Sequence, residues 1–195
     1  SIDDDERIYV THLLTFAHST ASEATDTGRA GRVTVIDAGA GAIIREIDLL
    51  PDGHGFPNLL AGIALTKDHI WLPHSRAAPA LPNGLTTTLF AAVDAIDLQT
   101  ESEDRTARLL LNDELIFGSP VNNPLAAIPA PDGKTLYVVL AGSNLVEIID
   151  ITDPTHPHLI KFLPTGHNPR GMAISADGKR GYVMNYLGRS ISVLN

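Results

Sequence analysis

Four of the eight histidines occupy related places in the sequence and could bind a metal ion or transfer protons. His12 and His74 each close a short apolar segment, Tyr-Val-Thr-His and Trp-Leu-Pro-His, whereas His54 and His167 each lie in a polar turn that precedes the next apolar segment. Imidazole is a common metal ligand and a general base near neutral pH. None of the four belongs to a His-x-His or His-Glu-x-x-His spacing, so the alternative is that they hydrogen-bond to loop backbone.

Other polar residues near these histidines could hold a ligand. Arg170 precedes the glycine of an apolar segment and could bind a carboxylate or phosphate, or instead pair with a neighbouring strand. Arg76 follows His74 by two residues, and Asn185 ends a strand-like segment. The sequence therefore gives Arg170, Arg76, Asn185 and His167 as candidate ligand-binding residues. It identifies no cofactor: a metal ion held by the histidines is one possibility, and no cofactor at all is the other.

The elements that must position these side chains recur about every 45 residues. The segments 123–150 and 168–195 align without a gap, sharing Asn-Pro, Asp-Gly-Lys, Tyr-Val and a closing apolar strand. Looser copies begin near Asn58 and at Arg7. Each copy consists of short strand-like segments, and Asp-Gly pairs supply tight turns between two of them. Four antiparallel strands per repeat predict an all-β protein, a β-propeller of four-stranded blades.

About four blades are present in this chain, and we expect a single propeller segment. The predicted blades cover residues 7–49, 58–111, 123–163 and 168–195, the first and last of them incomplete. Open sheet edges pair readily with other strands, so we expect further blades or another chain to cover both ends. Membership of a larger propeller of about seven blades is favoured. Association with another copy or chain, and a closed ring of four blades, are the alternatives.

The repeat resembles the YVTN family of bacterial envelope and secreted propellers. Residues 168–195 carry Asp-Gly-Lys followed by Tyr-Val-x-Asn, and residues 146–166 are also similar to the LVIVD repeat. In the first two copies, His12 and His74 stand where the family has asparagine. The resemblance implies a periplasmic or extracellular location. It also implies similarity to lactonases, quinoprotein amine dehydrogenase subunits and haem d1 domains, in which the four histidines would be ligands or proton carriers and Arg170 would anchor an acid group.

Composition narrows the possible partners. The net charge of −9 argues against nucleic acid, and the absence of cysteine excludes thiolate metal sites. No apolar run reaches the roughly 20 residues of a membrane-spanning helix. We therefore expect a non-catalytic scaffold that binds a protein or small-molecule ligand on its histidine-bearing face. The alternative is a redox or hydrolytic enzyme module with a metal or cofactor at that face; the sequence leaves enzyme activity undecided and leans against it.

Overall fold

The computed structural model describes residues 6–18, 20–84, 86–111 and 119–195. Within these ranges the chain forms four antiparallel sheets and no α-helix, which confirms the predicted all-β, partial propeller fold. No membrane-crossing helix is found in the described ranges. Residues 112–118, which belong to a long connection expected between the second and third blades, lie outside them.

The strands of each sheet are successive in the chain. The first sheet contains β1 (Arg7–Thr11), β2 (Phe16–Ala17), β3 (Arg29–Asp37) and β4 (Ala42–Leu49). The second contains β5 (Phe56–Asn58), β6 (Ala64–Leu65), β7 (His69–Ala77), β8 (Leu89–Asp97) and β9 (Ser102–Leu110). The third contains β10 (Pro124–Pro129), β11 (Thr135–Leu140), β12 (Leu145–Asp150) and β13 (His158–Pro164). The fourth contains β14 (Pro169–Ile174), β15 (Gly181–Asn185) and β16 (Ser190–Leu194).

Two interrupted rows explain the uneven number of strands. β1 and β2 both pair with β3, and β5 and β6 both pair with β7, so each pair of short strands forms one row of its sheet. Counted by rows, the sheets have three, four, four and three strands. Within the described ranges, the first sheet has no row equivalent to β10 of the third sheet, and the fourth has none equivalent to β13.

The turns follow from the residues that form them. Gly133 and Gly178 adopt positive φ angles of 68° and 69°, which glycine reaches without the steric cost that a Cβ brings. The preceding aspartates accept hydrogen bonds from the backbone of the turn. Asp132 Oδ1 accepts one from Lys134 N at 2.9 Å. These Asp-Gly turns join β10 to β11 and β14 to β15, and thereby fix the register of both hairpins.

The sheets pack face to face through apolar side chains. Val33, Leu49, Ile70 and Leu72 belong to the core between the first two sheets. A larger core, which includes Trp71, fills the space between the second and third sheets. Alternate residues of β7 thus face opposite neighbours, because successive side chains of a strand point to opposite faces.

The free face of the fourth sheet matches a face that is covered in the third. Tyr182 and Met184 are exposed, as are their cross-strand partners Val193 and Ile191. The residues one repeat earlier pack against the fourth sheet through a small core around Val183. The exposed face therefore has the composition of an interface between blades, and a further blade or chain would bury it.

Candidate functional site

The long connections of the first two sheets meet at one rim of the molecule. The connection that follows β7 contacts the one that precedes β3, since Ala80 N donates to Asp26 Oδ1 at 2.7 Å. A cavity of about 560 Å³ opens between the second and third sheets, lined largely by apolar groups that include Leu89, Phe90 and Val121. Loops on a rigid scaffold commonly carry binding residues, so this loop-bearing rim is the candidate site.

Two of the predicted histidines lie in separate contacts of their own. His12 Nε2 is 2.7 Å from Thr34 Oγ1, and its ring packs edge-on against Phe16. His54 is exposed and packs edge-on against Phe90 with 5.0 Å between ring centroids. His54 therefore stands beside the wall of the cavity, while His12 is bound to its own sheet.

His74 is fully buried between the first two sheets. Its Nδ1 lies 2.9 Å from Leu72 O and donates the hydrogen bond, so Nδ1 carries the proton when the ring is neutral. Among the described residues Nε2 has no hydrogen-bond partner, and it lies 3.5 Å from Asp94 Oδ2. Burial lowers the pKa of His74 below its ordinary value and outweighs the attraction of Asp94. His74 is therefore neutral at physiological pH.

Arg76 and Arg108 bind the same buried carboxylate. Arg76 Nη1 donates to Asp94 Oδ2 at 2.8 Å, and Arg108 Nε donates to Asp94 Oδ1 at 2.9 Å. Arg76 Nη2 also lies 3.1 Å from Asp52 Oδ1 and donates to Gly55 O at 2.8 Å. Both terminal nitrogens of Arg76 are thus engaged inside the protein, and its side chain has no exposed surface.

Asp52 and Glu103 complete the network. Arg108 pairs with both, and Glu103 Oε2 accepts a hydrogen bond from Leu50 N at 3.1 Å. We refer to Asp52, Arg76, Asp94, Glu103 and Arg108 as the ionic network. It connects the β4–β5 connection, which carries Leu50 and Asp52, to three strands of the second sheet.

The network shifts the acidities of its members in opposite directions. Burial raises the pKa of Glu103 and outweighs the hydrogen bond from Leu50 and the charge of Arg108. Burial also opposes ionisation of Asp52, but the hydrogen bond from His54 N and the charges of the two arginines hold the pKa of Asp52 below its ordinary value. Asp52 therefore stays ionised against two buried cations.

The fourth sheet places three predicted ligand-binding residues near the same rim. Arg170 is exposed, with its guanidinium 4.2 Å from the centroid of the Tyr186 ring and its Nε bonded to Asn168 Oδ1 at 2.9 Å. His167 is also exposed. Asn185 is buried, and its amide donates to hydroxyls of the neighbouring strand while Oδ1 has no hydrogen-bond partner. Arg170 and His167 are accessible to a ligand here; Asn185 is turned inward.

The structure brings together a different set of potential metal ligands. Within the described ranges, the one group of three or more histidine and carboxylate side chains close enough to share an ion is His69, Asp97 and Asp104. His12, His54, His74 and His167 do not form such a group there. The sequence offered one signal for the polar residues it missed: Asp94 interrupts an otherwise apolar strand, Leu-Phe-Ala-Ala-Val-Asp-Ala-Ile.

Comparison with known proteins finds β-propellers of similar fold. Hydrazine synthase subunit beta of Kuenenia stuttgartiensis is 26% identical over an alignment of 172 residues, which covers 77% of this chain and 40% of that protein. The structure of Kuenenia stuttgartiensis hydrazine synthase superposes on all of this chain with a TM-score of 0.77, at 19% identity and with 57% of that chain covered. The periplasmic gluconolactonase of Pseudomonas aeruginosa gives a TM-score of 0.59 at 18% identity, covering 98% of this chain and 51% of that one.

These comparisons establish the propeller fold and correct the functional expectation. No protein-family profile matches the chain, so the resemblance to the YVTN family stays a prediction. The chain spans less than two thirds of the length of each relative. The expectation of a non-catalytic scaffold is wrong, because a relative found by sequence is a subunit of hydrazine synthase, an enzyme. The chain is a partial β-propeller that is similar in sequence to that subunit.

Proposed function

We propose that this chain is a propeller segment of a redox enzyme of the kind represented by hydrazine synthase, and that its loop-bearing rim forms part of the wall of the reaction site. The observation that carries the proposal is the match to hydrazine synthase, which extends over the whole chain in structure and most of it in sequence. A location outside the cytoplasm belongs to the proposal, supported by the periplasmic gluconolactonase of similar fold.

Two kinds of side chain on the rim support this role. The Arg170 guanidinium is exposed, stacks on Tyr186 and donates a hydrogen bond to Asn168 through Nε. A guanidinium held in this way can bind a carboxylate or phosphate group of a substrate or cofactor. The imidazoles of His54 and His167 are also exposed, and imidazole side chains serve as general acids and bases in many enzymes.

Two other residues predicted from the sequence are buried beneath the rim and support it. Asp94, Asp52 and carbonyl oxygens engage both terminal nitrogens of Arg76, and Arg76 supports the connection that carries His54 instead of contacting a ligand. His74 is enclosed beside this network. The first two sheets thus contribute both to the rim and to its support.

The test uses the native assembly that contains the full-length protein, purified without denaturation. Formation of hydrazine is measured by chemical derivatisation, and the optical spectrum is recorded for redox cofactors. We expect both signals. We expect Arg170→Ala to lower kcat/KM about 10–100-fold, the size of one lost charge-assisted hydrogen bond.

Arg180→Ala is the matched control for Arg170→Ala. Arg180 is also exposed on the fourth sheet, but it precedes β15 at the rim opposite the loops. Its replacement should leave kcat/KM unchanged. An assembly with neither hydrazine formation nor a redox cofactor, or equal losses in the two arginine variants, would contradict the proposal.

A further inference from the structure

A histidine and two aspartates converge at the rim opposite the long loops. His69 begins β7, Asp97 ends β8, and Asp104 lies near the start of β9. His69 Nε2 is 3.2 Å from Asp104 Oδ2 and 4.0 Å from Asp97 Oδ2. One ligand atom from each residue lies within 4.8 Å of the other two. We propose that His69, Asp97 and Asp104 bind a single divalent transition-metal ion such as Zn²⁺.

The separations suit a small divalent ion. Zinc binds histidine nitrogen and carboxylate oxygen at about 2.0–2.2 Å, and tetrahedral ligands at that distance are roughly 3.4 Å apart. The distances from His69 Nε2 to the two Oδ2 atoms bracket this value, so small side-chain rotations would complete the site. A mixed nitrogen and oxygen donor set suits zinc, manganese or iron better than calcium or magnesium.

The second oxygen of each carboxylate is already held elsewhere. Asp97 Oδ1 accepts a hydrogen bond from Thr100 N at 2.7 Å, and Asp104 Oδ1 accepts one from Thr106 N at 2.9 Å. Each aspartate is thereby oriented with Oδ2 toward His69.

The first and third sheets have other residues at the positions of His69 and Asp104, so this group differs from the turn that those sheets also contain. Asp97 at the end of β8 has counterparts at the ends of β3 and β12, and each of these aspartates caps the turn that follows its strand. Opposite it, His69 is replaced by Arg7 in the first sheet and by Thr135 in the third. Asp104 pairs with Ala95, whose counterparts pair with the basic residues Arg45 and Lys161.

A wide bulge in β9 accompanies this change. Val93 pairs with Leu109 and Ala95 with Asp104, so the four residues 105–108 lie opposite the single residue Asp94. The bulge places Asp104 beside His69, whose side chain is only 8% exposed, while the carboxylates remain 18% and 29% exposed. Three protein ligands with an open side leave room for water at the ion, a feature of catalytic zinc sites.

The experiment titrates Zn²⁺ into metal-free full-length protein by isothermal calorimetry. We expect one site in the wild type, weakened at least ~10-fold in both Asp97→Asn and Asp104→Asn, since each amide removes one anionic ligand but preserves side-chain shape. The control is Asp153→Asn, because Asp153 Oδ2 contacts His156 Nδ1 at 2.9 Å in an exposed pair that lacks a second carboxylate. Its affinity should equal that of the wild type.

A spectroscopic readout locates the ion independently of the affinity. The Trp71 ring lies 5.7 Å from the His69 ring, so Co²⁺ bound in the site should quench the fluorescence of Trp71. That fluorescence is measured as the difference between the wild type and Trp71→Phe. Absence of saturable Zn²⁺ binding would overturn the proposal, as would wild-type affinity in Asp104→Asn or an equal loss in Asp153→Asn. This site does not depend on the proposed function, which concerns the opposite rim.

Discussion

Replacing Asp94 by asparagine should destabilise the protein more than any comparable change at an exposed ion pair. The Asp94 side chain is 1% exposed and accepts charge-assisted hydrogen bonds from both Arg76 and Arg108. The asparagine side chain would keep the shape but lose the charge, and its amide nitrogen would face one of the two donors. The two arginines would then lose one of the two carboxylates that they share and would keep Asp52.

The magnitude follows from these contacts. A hydrogen bond to a charged group contributes about 1.5–3 kcal/mol, and breaking a buried ion pair by removing one partner costs about 3–5 kcal/mol. Because the amide oxygen of the new side chain can still accept from one arginine, we expect a loss of about 3 kcal/mol. In a chain of this size that corresponds to a fall in Tm of about 6–12 °C.

Asp48 provides the matched control for this prediction. It accepts hydrogen bonds from Arg32 Nε at 2.7 Å and Arg32 Nη2 at 3.2 Å, but its side chain is 35% exposed. Exposed pairs of this kind contribute less than about 1 kcal/mol, so Asp48→Asn should change stability little. Urea unfolding of the full-length variants, followed by circular dichroism and tryptophan fluorescence, measures both. Equal losses for Asp48→Asn and Asp94→Asn, or a loss below about 1 kcal/mol for Asp94→Asn, would refute the reasoning.

Two further predictions concern pH and backbone conformation. The pKa of His74 is lowered in the folded protein, so below pH ~6.5 the unfolded chain binds more protons than the folded one. The free energy of unfolding therefore decreases as the pH is lowered through this range, by at most about 1.4 kcal/mol per pH unit. Urea titrations between pH ~5 and ~7 should show a flatter profile for His74→Asn, and an unchanged slope would contradict this. Gly55→Ala should cost about 2 kcal/mol or more in thermal or urea unfolding, because φ is +81° and a Cβ would overlap Ala77 O. Gly53→Ala, where a Cβ meets nothing within 4 Å, should be close to neutral, and similar losses in both would oppose the explanation.

The fold could be predicted because its determinants are local and repeated. Asp132-Gly133 and Asp177-Gly178 specify hairpins through turn chemistry that acts within a few residues. The apolar strands beside them recur in the same order in each sheet, although longer connections widen their spacing in the first two sheets. Rows numbering three, four, four and three follow directly from such a pattern.

The sites were less accessible to sequence reasoning because they depend on register between distant strands. Asp94 meets Arg108 only because β9 bulges opposite it, and the run Ser-Glu-Asp-Arg-Thr-Ala-Arg gives no sign of where the bulge falls. His69 and Asp104 are 35 residues apart and come together through the same bulge. Because His12 and His74 occupy equivalent positions in the repeat, the sequence predicts both on one face. It gives no sign that the His74 side chain is buried.

The interface between the first two sheets changes from apolar to ionic along β7. Ile70 and Leu72 pack into the apolar core, whereas His74 and Arg76, on the same face, lie among buried charges nearer the loops. A buried ionic network is seldom the most stable filling for such a space, since desolvation consumes much of the attraction. The network does fix the positions of the residues it joins, because each charge-assisted hydrogen bond is directional. Arg76 fixes Gly55 O, and Asp52 Oδ1 accepts a hydrogen bond from His54 N at 2.7 Å, so the network determines the position of a rim histidine. Substitutions at Asp94 should therefore alter the reaction proposed for the rim as well as stability, whereas substitutions in the apolar half should alter stability alone.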